Sequence, residues 1–275
     1  MAGVLFLVAT PIGNLADITL RAKQTLSEVD LIACEDTRHT LGLLTHLGIQ
    51  KRLISYHKHN EKQSAQKLLL LLAEGKRIAL VSDAGMPGIS DPGAYLVSEA
   101  RRAGIEVVVI PGASAVTAAV ALSGIDEGGF VFLGFLQGTE KEKSQRLSRY
   151  AAEPMPLVIY SAPHDIKKEL ALAAQVLGSR EALIIKEMTK VYEAVIQGVL
   201  GEIEPKEEKG EFVLIISGCK QERTISDKAI IAELDFLLGF GLSKRDASTI
   251  AAQHLGIPRK RAYDLCLAKL SQQLD

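Results

Sequence analysis

Apolar residues along this chain recur with two different periods. Up to about residue 123, short runs rich in valine, isoleucine and leucine alternate with longer stretches in which apolar positions return every three or four residues. The runs at 3–9, 31–34, 77–81 and 105–110 predict strands, and the stretches at 17–29, 37–47, 61–74, 92–103 and 114–122 predict helices. Gly48 and Gly75 stand directly after two of these helices, where a left-handed residue commonly ends a helix. After Arg77 the run to residue 81 is continuously apolar, the pattern of a strand covered on both faces. Strand–helix alternation over residues 1–120 predicts an α/β domain with a mostly parallel sheet.

A second set of elements follows over residues 121–219. Strands are predicted at 130–135, 157–160, 182–185, 192–197 and 212–216, around helices near 140–152 and 164–177. Several of these strands lie close enough in sequence to pair antiparallel, so a mixed sheet is expected. The polar stretch 202–209 reads as a loop and 220–227 as a linker. Residues 226–275 carry only helical patterns, at 228–238, 243–255 and 259–272, with breaks at Gly239-Phe240-Gly241 and Gly256-Ile257-Pro258.

Composition narrows the class. At 47% hydrophobic and 24% charged residues the chain is that of a folded globular protein, not a disordered or fibrous one. No apolar run approaches the roughly 20 residues of a membrane span, and the opening MAGVLFLVAT lacks the basic region of a secretory signal. Cys34, Cys219 and Cys266 are scattered and without metal-ligand spacing. A reduced cytoplasmic protein with no metal and no membrane association is the expectation. Net charge is −1, with −4 in residues 121–219 and +2 in residues 220–275. Any nucleic-acid contact must then come from local patches and not from a global field.

Chemistry concentrates at the carboxyl ends of the first predicted strands. Thr10-Pro11-Ile12-Gly13-Asn14 closes the first strand ahead of a helix, either as a tight turn or as a ligand loop of the kind α/β sheets place there. It carries neither the dinucleotide fingerprint nor a P-loop. The second strand ends in Cys34-Glu35-Asp36-Thr37-Arg38-His39, where Asp36 or Thr37 is a helix-cap candidate, which leaves the rest of the charged group unexplained. The densest signal is Ser82-Asp83-Ala84-Gly85-Met86-Pro87-Gly88-Ile89-Ser90-Asp91-Pro92-Gly93. Proline stiffens such a loop, and glycine lets backbone approach a ligand closely. Asp83 and Gly85 are therefore assigned to binding, and Asp91 to capping the next helix with Pro92 at its first position. Pro111-Gly112-Ala113-Ser114 repeats the pattern after the following strand. Together these four loops define one cleft.

In order along the chain, TPIGN, DITLRA, DLIACEDTRHT, YHKHNE, SDAGMPGISDPG, PGASA and KEMTKVYE resemble the family of small-subunit ribosomal RNA (cytidine-2′-O)-methyltransferases, within the tetrapyrrole methylase superfamily. The resemblance covers about residues 1–218, and the tail is similar to that family's helix-turn-helix-like domain. It implies an α/β, two-domain class III methyltransferase fold (1–120 and 121–219) followed by a small all-helical domain (226–275), assembled as a homodimer. It further implies S-adenosylmethionine as cofactor, bound between the two α/β domains, and a decoding-region cytidine of 16S rRNA in the assembled small subunit as substrate. Carried over position by position, cofactor contacts fall on Pro11, on Ser82, Asp83, Gly85, Met86 and Ile89, on Ser114 and Ala115, and on Tyr160, Ser161 and Gly198.

The sequence departs from the family pattern at four places. Met86 stands where threonine is usual, Ser161-Ala162-Pro163-His164-Asp165 where E-S-P-H-R is usual, and Lys186-Glu187-Met188 where R-E-L is usual. Phe135-Leu136-Gln137-Gly138 lacks the usual proline.

Methyl transfer from a sulfonium to a ribose hydroxyl needs alignment first and a proton acceptor or nearby cation second. Glu35, Asp36 and Arg38 are the candidates for substrate handling, with Glu187 and Lys190 opposite them. His57 and His59 are either further proton acceptors or plain loop residues. In the tail, Lys244 and Arg245 and the run Arg259-Lys260-Arg261 set cations at predicted helix starts, against the helix dipole, which points to phosphate contacts. Two rivals remain open: a tetrapyrrole methyltransferase of the same superfamily, which needs no RNA-docking module, and a non-catalytic cofactor-binding protein that docks on the ribosome.

Overall fold

A computed structural model of the protein describes residues 3–125, 128–219 and 225–272. The chain divides into two compact units, Met1–Cys219 and Lys220–Asp275. In the first, β1 (Val4–Val8), α1 (Leu20–Glu28), β2 (Leu31–Cys34), α2 (Thr37–Leu47), β3 (Arg52–Ser55), α3 (Glu61–Ala73), β4 (Arg77–Val81), α4 (Ala94–Arg102) and β5 (Glu106–Ile110) follow one another. Their strands form one parallel sheet in the order β3-β2-β4-β1-β5. The two-residue period of β1 shows why both faces are covered. Leu5 and Leu7 enter the core beneath α3 and α4, while Val8 and the half-buried Phe6 enter the core beneath α1 and α2. The sequence pattern does not predict β3, because four residues at a sheet edge give too little periodicity to register.

The second sheet follows α5 (Ala115–Ser123) and is built from β6 (Val131–Phe135), α6 (Glu140–Ser148), β7 (Leu157–Ser161), α7 (Ile166–Leu177), β8 (Glu181–Lys186), β9 (Ala194–Val199) and β10 (Phe212–Ile216). Its strand order is β6-β7-β10-β8-β9. It is mixed as expected: β6 and β7 are parallel, and the remaining pairs are antiparallel. α6 and α7 cover one face with a core around Leu147, Leu170 and Ile159. α5 covers the other, setting Val116 and Ala119 against Val158, Ile185 and Val213. A helix that leaves the first sheet thus supplies a face of the second, and this brings the strand ends of both together.

The second unit is three helices, α8 (Asp227–Gly239), α9 (Lys244–Leu255) and α10 (Arg259–Gln272), packed around Ile230, Leu234, Ala251 and Cys266. Among the described residues no helix is long and apolar enough to cross a membrane, and no group of three His, Cys, Asp or Glu side chains could hold a metal.

Candidate functional site

The carboxyl ends of β1, β2, β4 and β5 and the end of β7 surround a cavity of about 390 Å³, within the range of small-molecule sites. The first sheet contributes Ile12, Glu35, the loop from Asp83 to Asp91, Ser114 and Ala115. The second contributes Phe135, Tyr160 to Pro163, Met188 and the start of β10.

The loop at 82–93 is held by its own polar groups. Thr10 and Gly85 form an antiparallel bridge, with N–H donors to carbonyl oxygens at 2.9 and 3.0 Å. The Thr10 hydroxyl donates to Ser82 O, and the buried Ser82 hydroxyl donates to Gly85 O at 3.2 Å. Gly85 has φ +80°, and an added Cβ would meet Ile12 Cγ2 at 3.3 Å, so glycine is required there. Ser90 takes a positive φ of 65° without being glycine, the kind of strain that persists where surrounding structure imposes it.

The structure corrects the expectation for Asp91 and places the other predicted site residues as follows. Asp91 does not cap α4: the helix begins at Ala94, behind Gly93 at φ 145°, and no side chain caps it. Asp91 instead lines the cavity. Ile12 rather than Pro11 reaches the cavity wall, and Ser82 is spent on the loop's internal hydrogen bonds. Gly198 lies on β9 opposite Ala182, away from the cavity, and its hydrogen faces Ile203, whose Cγ2 leaves no room for a Cβ. Its glycine serves packing. Asp83, Gly85, Met86, Ile89, Ser114, Ala115, Tyr160 and Ser161 do line the cavity.

Three carboxylates meet on the first-sheet wall. Burial pushes Asp91 up to about 7, and the charges of Glu35 and Asp83 add to the rise against a hydrogen bond from Ser82. Burial also raises Glu35, with Asp83 adding to it and His57 opposing it. Asp83 Oδ1 accepts the Asp36 N–H at 3.1 Å, tying β2's end to the β4 loop. Asp36 caps α2 through the Arg38 N–H at 2.8 Å and pairs with the Arg38 side chain, which is 91% exposed. Of the acidic group at 35–38, Glu35 alone lines the cavity.

On the opposite side, Glu187 and Lys190 build a turn. Glu187 Oε1 accepts the Glu211 N–H at 2.8 Å and the Lys190 ammonium at 2.9 Å, and Lys190 also reaches Glu211 at 3.0 Å. Burial raises the Glu187 carboxyl, but these donors hold it below its ordinary value. Neither residue lines the cavity; Met188 between them does. Glu187 and Thr189 both have positive φ, and the Thr189 hydroxyl is buried without a partner. His57 Nδ1 is the other such atom among the described residues.

In the helical unit, Lys244 and Arg245 open α9 behind the cap Ser243, and Arg259 and Lys260 open α10. Arg261 is engaged instead, donating to Ile225 O and to Asp227 Oδ1, each at 2.8 Å.

Two α/β sheets joined through a shared helix, with a cavity at their strand ends, define a class also seen in solved methyltransferases. The methyltransferase CobJ superposes with TM-score 0.61 at 20% identity, over 80% of this chain and 95% of that one. Uroporphyrin III C-methyltransferase from Thermus thermophilus superposes with TM-score 0.55 at 20% identity, over 78% and 97%. Residues 4–204 match the family described as Tetrapyrrole (Corrin/Porphyrin) Methylases. Closer relatives carry the name Ribosomal RNA small subunit methyltransferase I. The Synechocystis protein is 43% identical over 96% of this chain and 98% of its own, the Escherichia coli O157:H7 protein 42% over 96% and 95%, and the Bacillus subtilis protein 39% over 95% and 93%. The chain belongs to the tetrapyrrole methylases and, within them, to the family of these ribosomal RNA small subunit methyltransferases I.

Proposed function

We propose that the protein is an S-adenosylmethionine-dependent methyltransferase that 2′-O-methylates the ribose of a decoding-region cytidine in 16S rRNA, in the small ribosomal subunit. The observation that carries the reading is a cavity with an acidic wall and an apolar remainder in a chain about 40% identical to proteins named for small-subunit rRNA methylation. The residues fit the donor. Glu35, Asp83 and Asp91 suit its sulfonium and ammonium charges, and Ile12, Met86, Ile89, Phe135 and Met188 suit the faces of its adenine. When bound, the donor supplies an electrophilic methyl group, so the chain's task is alignment and removal of one proton. Glu35, on the wall and with a carboxyl raised by burial, is the proton acceptor at its carboxylate. Asp36 and Arg38, paired at the rim, address the acceptor RNA, and Glu187 and Lys190 fix the opposite turn. The reading includes phosphate contacts by Lys244, Arg245, Arg259 and Lys260, a cytoplasmic location and a homodimer. For the last, Val109, Leu122 and Phe130 are 48%, 49% and 36% exposed, apolar surface of the kind a partner covers.

The test is methyl transfer from radiolabelled S-adenosylmethionine to small subunits lacking the modification, with naked 16S rRNA alongside, followed by nucleoside analysis. Label in 2′-O-methylcytidine from subunits is expected. Label in another nucleoside, or in neither substrate while the donor binds, overturns the assignment.

A further inference from the structure

One helix touches the cavity's second-sheet wall at two points without lining it. α6 is fixed at its start by a reciprocal capping box between Thr139 and Glu142. From it project Lys143 and Arg146, three residues apart and so on one face. Lys143 Nζ donates to Glu169 Oε1 of α7 at 2.7 Å, and Glu169 Oε2 accepts the hydroxyl of Ser161 at 2.6 Å. Ser161 ends β7 and opens the segment to Pro163 that lines the cavity. Arg146 donates from Nη1 to Phe135 O at 3.1 Å and from Nη2 to Leu133 O. Those carbonyls flank Gly134, where β6 slips register against β7 and φ turns to +61°. A bulge re-aims the residue beyond it. Here that residue is Phe135, which lines the cavity and packs edge-on to Tyr160 at 5.5 Å between ring centres.

Holding the helices together does not require this arrangement. Leu147, Ile166, Leu170 and Ala173 already pack α6 and α7 into one core. The Lys143–Glu169 pair is nearly dry, with side chains 14% and 4% exposed, and such a pair is commonly replaceable by apolar residues without loss of stability. What apolar residues would not supply is the acceptor for Ser161 and the donors for the bulge.

We infer that Lys143 and Arg146 are positioning residues of the cavity. Lys143 acts through Glu169 on Ser161, and Arg146 acts through the β6 bulge on Phe135, so that α6 fixes the spacing of two parallel strand ends around the methyl donor. The inference rests on the reading of this cavity as the donor site.

The experiment is calorimetric titration of the full-length protein with S-adenosylmethionine, with urea unfolding beside it. The double variant Lys143→Met with Glu169→Leu is expected to fold with a somewhat lower urea midpoint, because the buried Ser161 hydroxyl loses its acceptor and Asp165 loses its Lys143 partner at 3.4 Å. It is expected to bind the donor about tenfold more weakly, the scale of one network coupling. Arg146→Met is expected to weaken binding to a similar extent. Lys143→Arg keeps the charge and should keep parental affinity, whereas Lys167→Met on the same α7, which breaks an exposed pair with Glu208 of the loop before β10, should change nothing. If the double variant does not fold, Arg146→Met decides, and parental donor affinity in it overturns the inference. Parental donor affinity in Arg146→Met and the double variant overturns the inference alone. A parent that does not bind the donor overturns the reading of the cavity and the inference with it.

Discussion

The phenolic oxygen of Tyr160, at the end of β7, accepts the backbone N–H of Val116 in the first turn of α5 across 3.0 Å. Helix starts leave N–H groups without partners, and here one is satisfied by a side chain from the other sheet. Burial, set against that hydrogen bond, pushes the Tyr160 hydroxyl up to about 12, so it stays protonated at any working pH. Phe132 and Phe135 hold the ring edge-on at 4.9 and 5.5 Å. The cavity thus has a fixed hinge point between its two walls.

Tyr160→Phe keeps the ring packing and removes the acceptor. Leaving a part-buried N–H unpaired costs about 1–3 kcal/mol. The expected result is a lower urea midpoint together with weaker binding of S-adenosylmethionine in calorimetry. An unchanged midpoint and unchanged affinity would show that Val116 finds another partner.

Asp91 sets a pH dependence whose sign is fixed. Its carboxyl is raised from 3.8 to about 7 in the folded chain by burial first and by Glu35 next. Between those values the native state holds a proton that the unfolded chain has released, so stability falls as pH rises through this window and levels off above it. Glu35, also raised, works in the same direction. Asp91→Asn removes the larger contribution. Urea midpoints measured between pH 4 and 8 should decline more steeply in the parent than in the variant, and parallel curves would sink the assignment.

These residues also mark how far the sequence could be read. The loop at 82–93 announced itself, because glycine, proline and aspartate crowd together directly after a buried strand. An aspartate before a proline reads as a helix cap, and only the backbone, with Gly93 in a conformation closed to other residues, shows the helix starting later. Glu169 and Lys143 carried no signal at all. In an amphipathic helix each looks like one more solvated charge, and only the packing of α6 on α7 turns them inward. β6 was legible as a strand, but its bulge depends on a pairing register that no local pattern encodes.

Gly13 shows close approach of a different kind. A Cβ there would stand 2.5 Å from Lys190 Cγ, 2.8 Å from Thr189 Oγ1 and 3.0 Å from Met188 O. The first-strand turn therefore touches the strained turn at 187–190 through a hydrogen alone. Gly13→Ala forces the two apart, an overpacking cost of about 1–3 kcal/mol. Met188 lines the cavity, so donor affinity should fall with stability. The same substitution at Gly42, which meets nothing within 4 Å, is the control and should leave affinity unchanged.

The basic residues of the helical unit separate into two kinds, and salt dependence distinguishes them. Lys244, Arg245, Arg259 and Lys260 stand in the first turns of α9 and α10, exposed and where the helix dipole opposes them. If they contact phosphates, each neutralisation to alanine weakens RNA binding across sequences and lowers the slope of log affinity against log salt by about one. Arg261 is committed to Ile225 O and Asp227. Arg261→Ala should cost the helical unit about 1 kcal/mol, as a partly exposed pair with one carbonyl bond, and change the slope less. Filter binding of 16S rRNA over a range of salt, with thermal unfolding of the same variants, makes both comparisons. A slope that falls equally for Arg261 and Arg259 would mean that the ion pair opens on RNA. A slope unmoved by any of them would remove RNA docking from this unit.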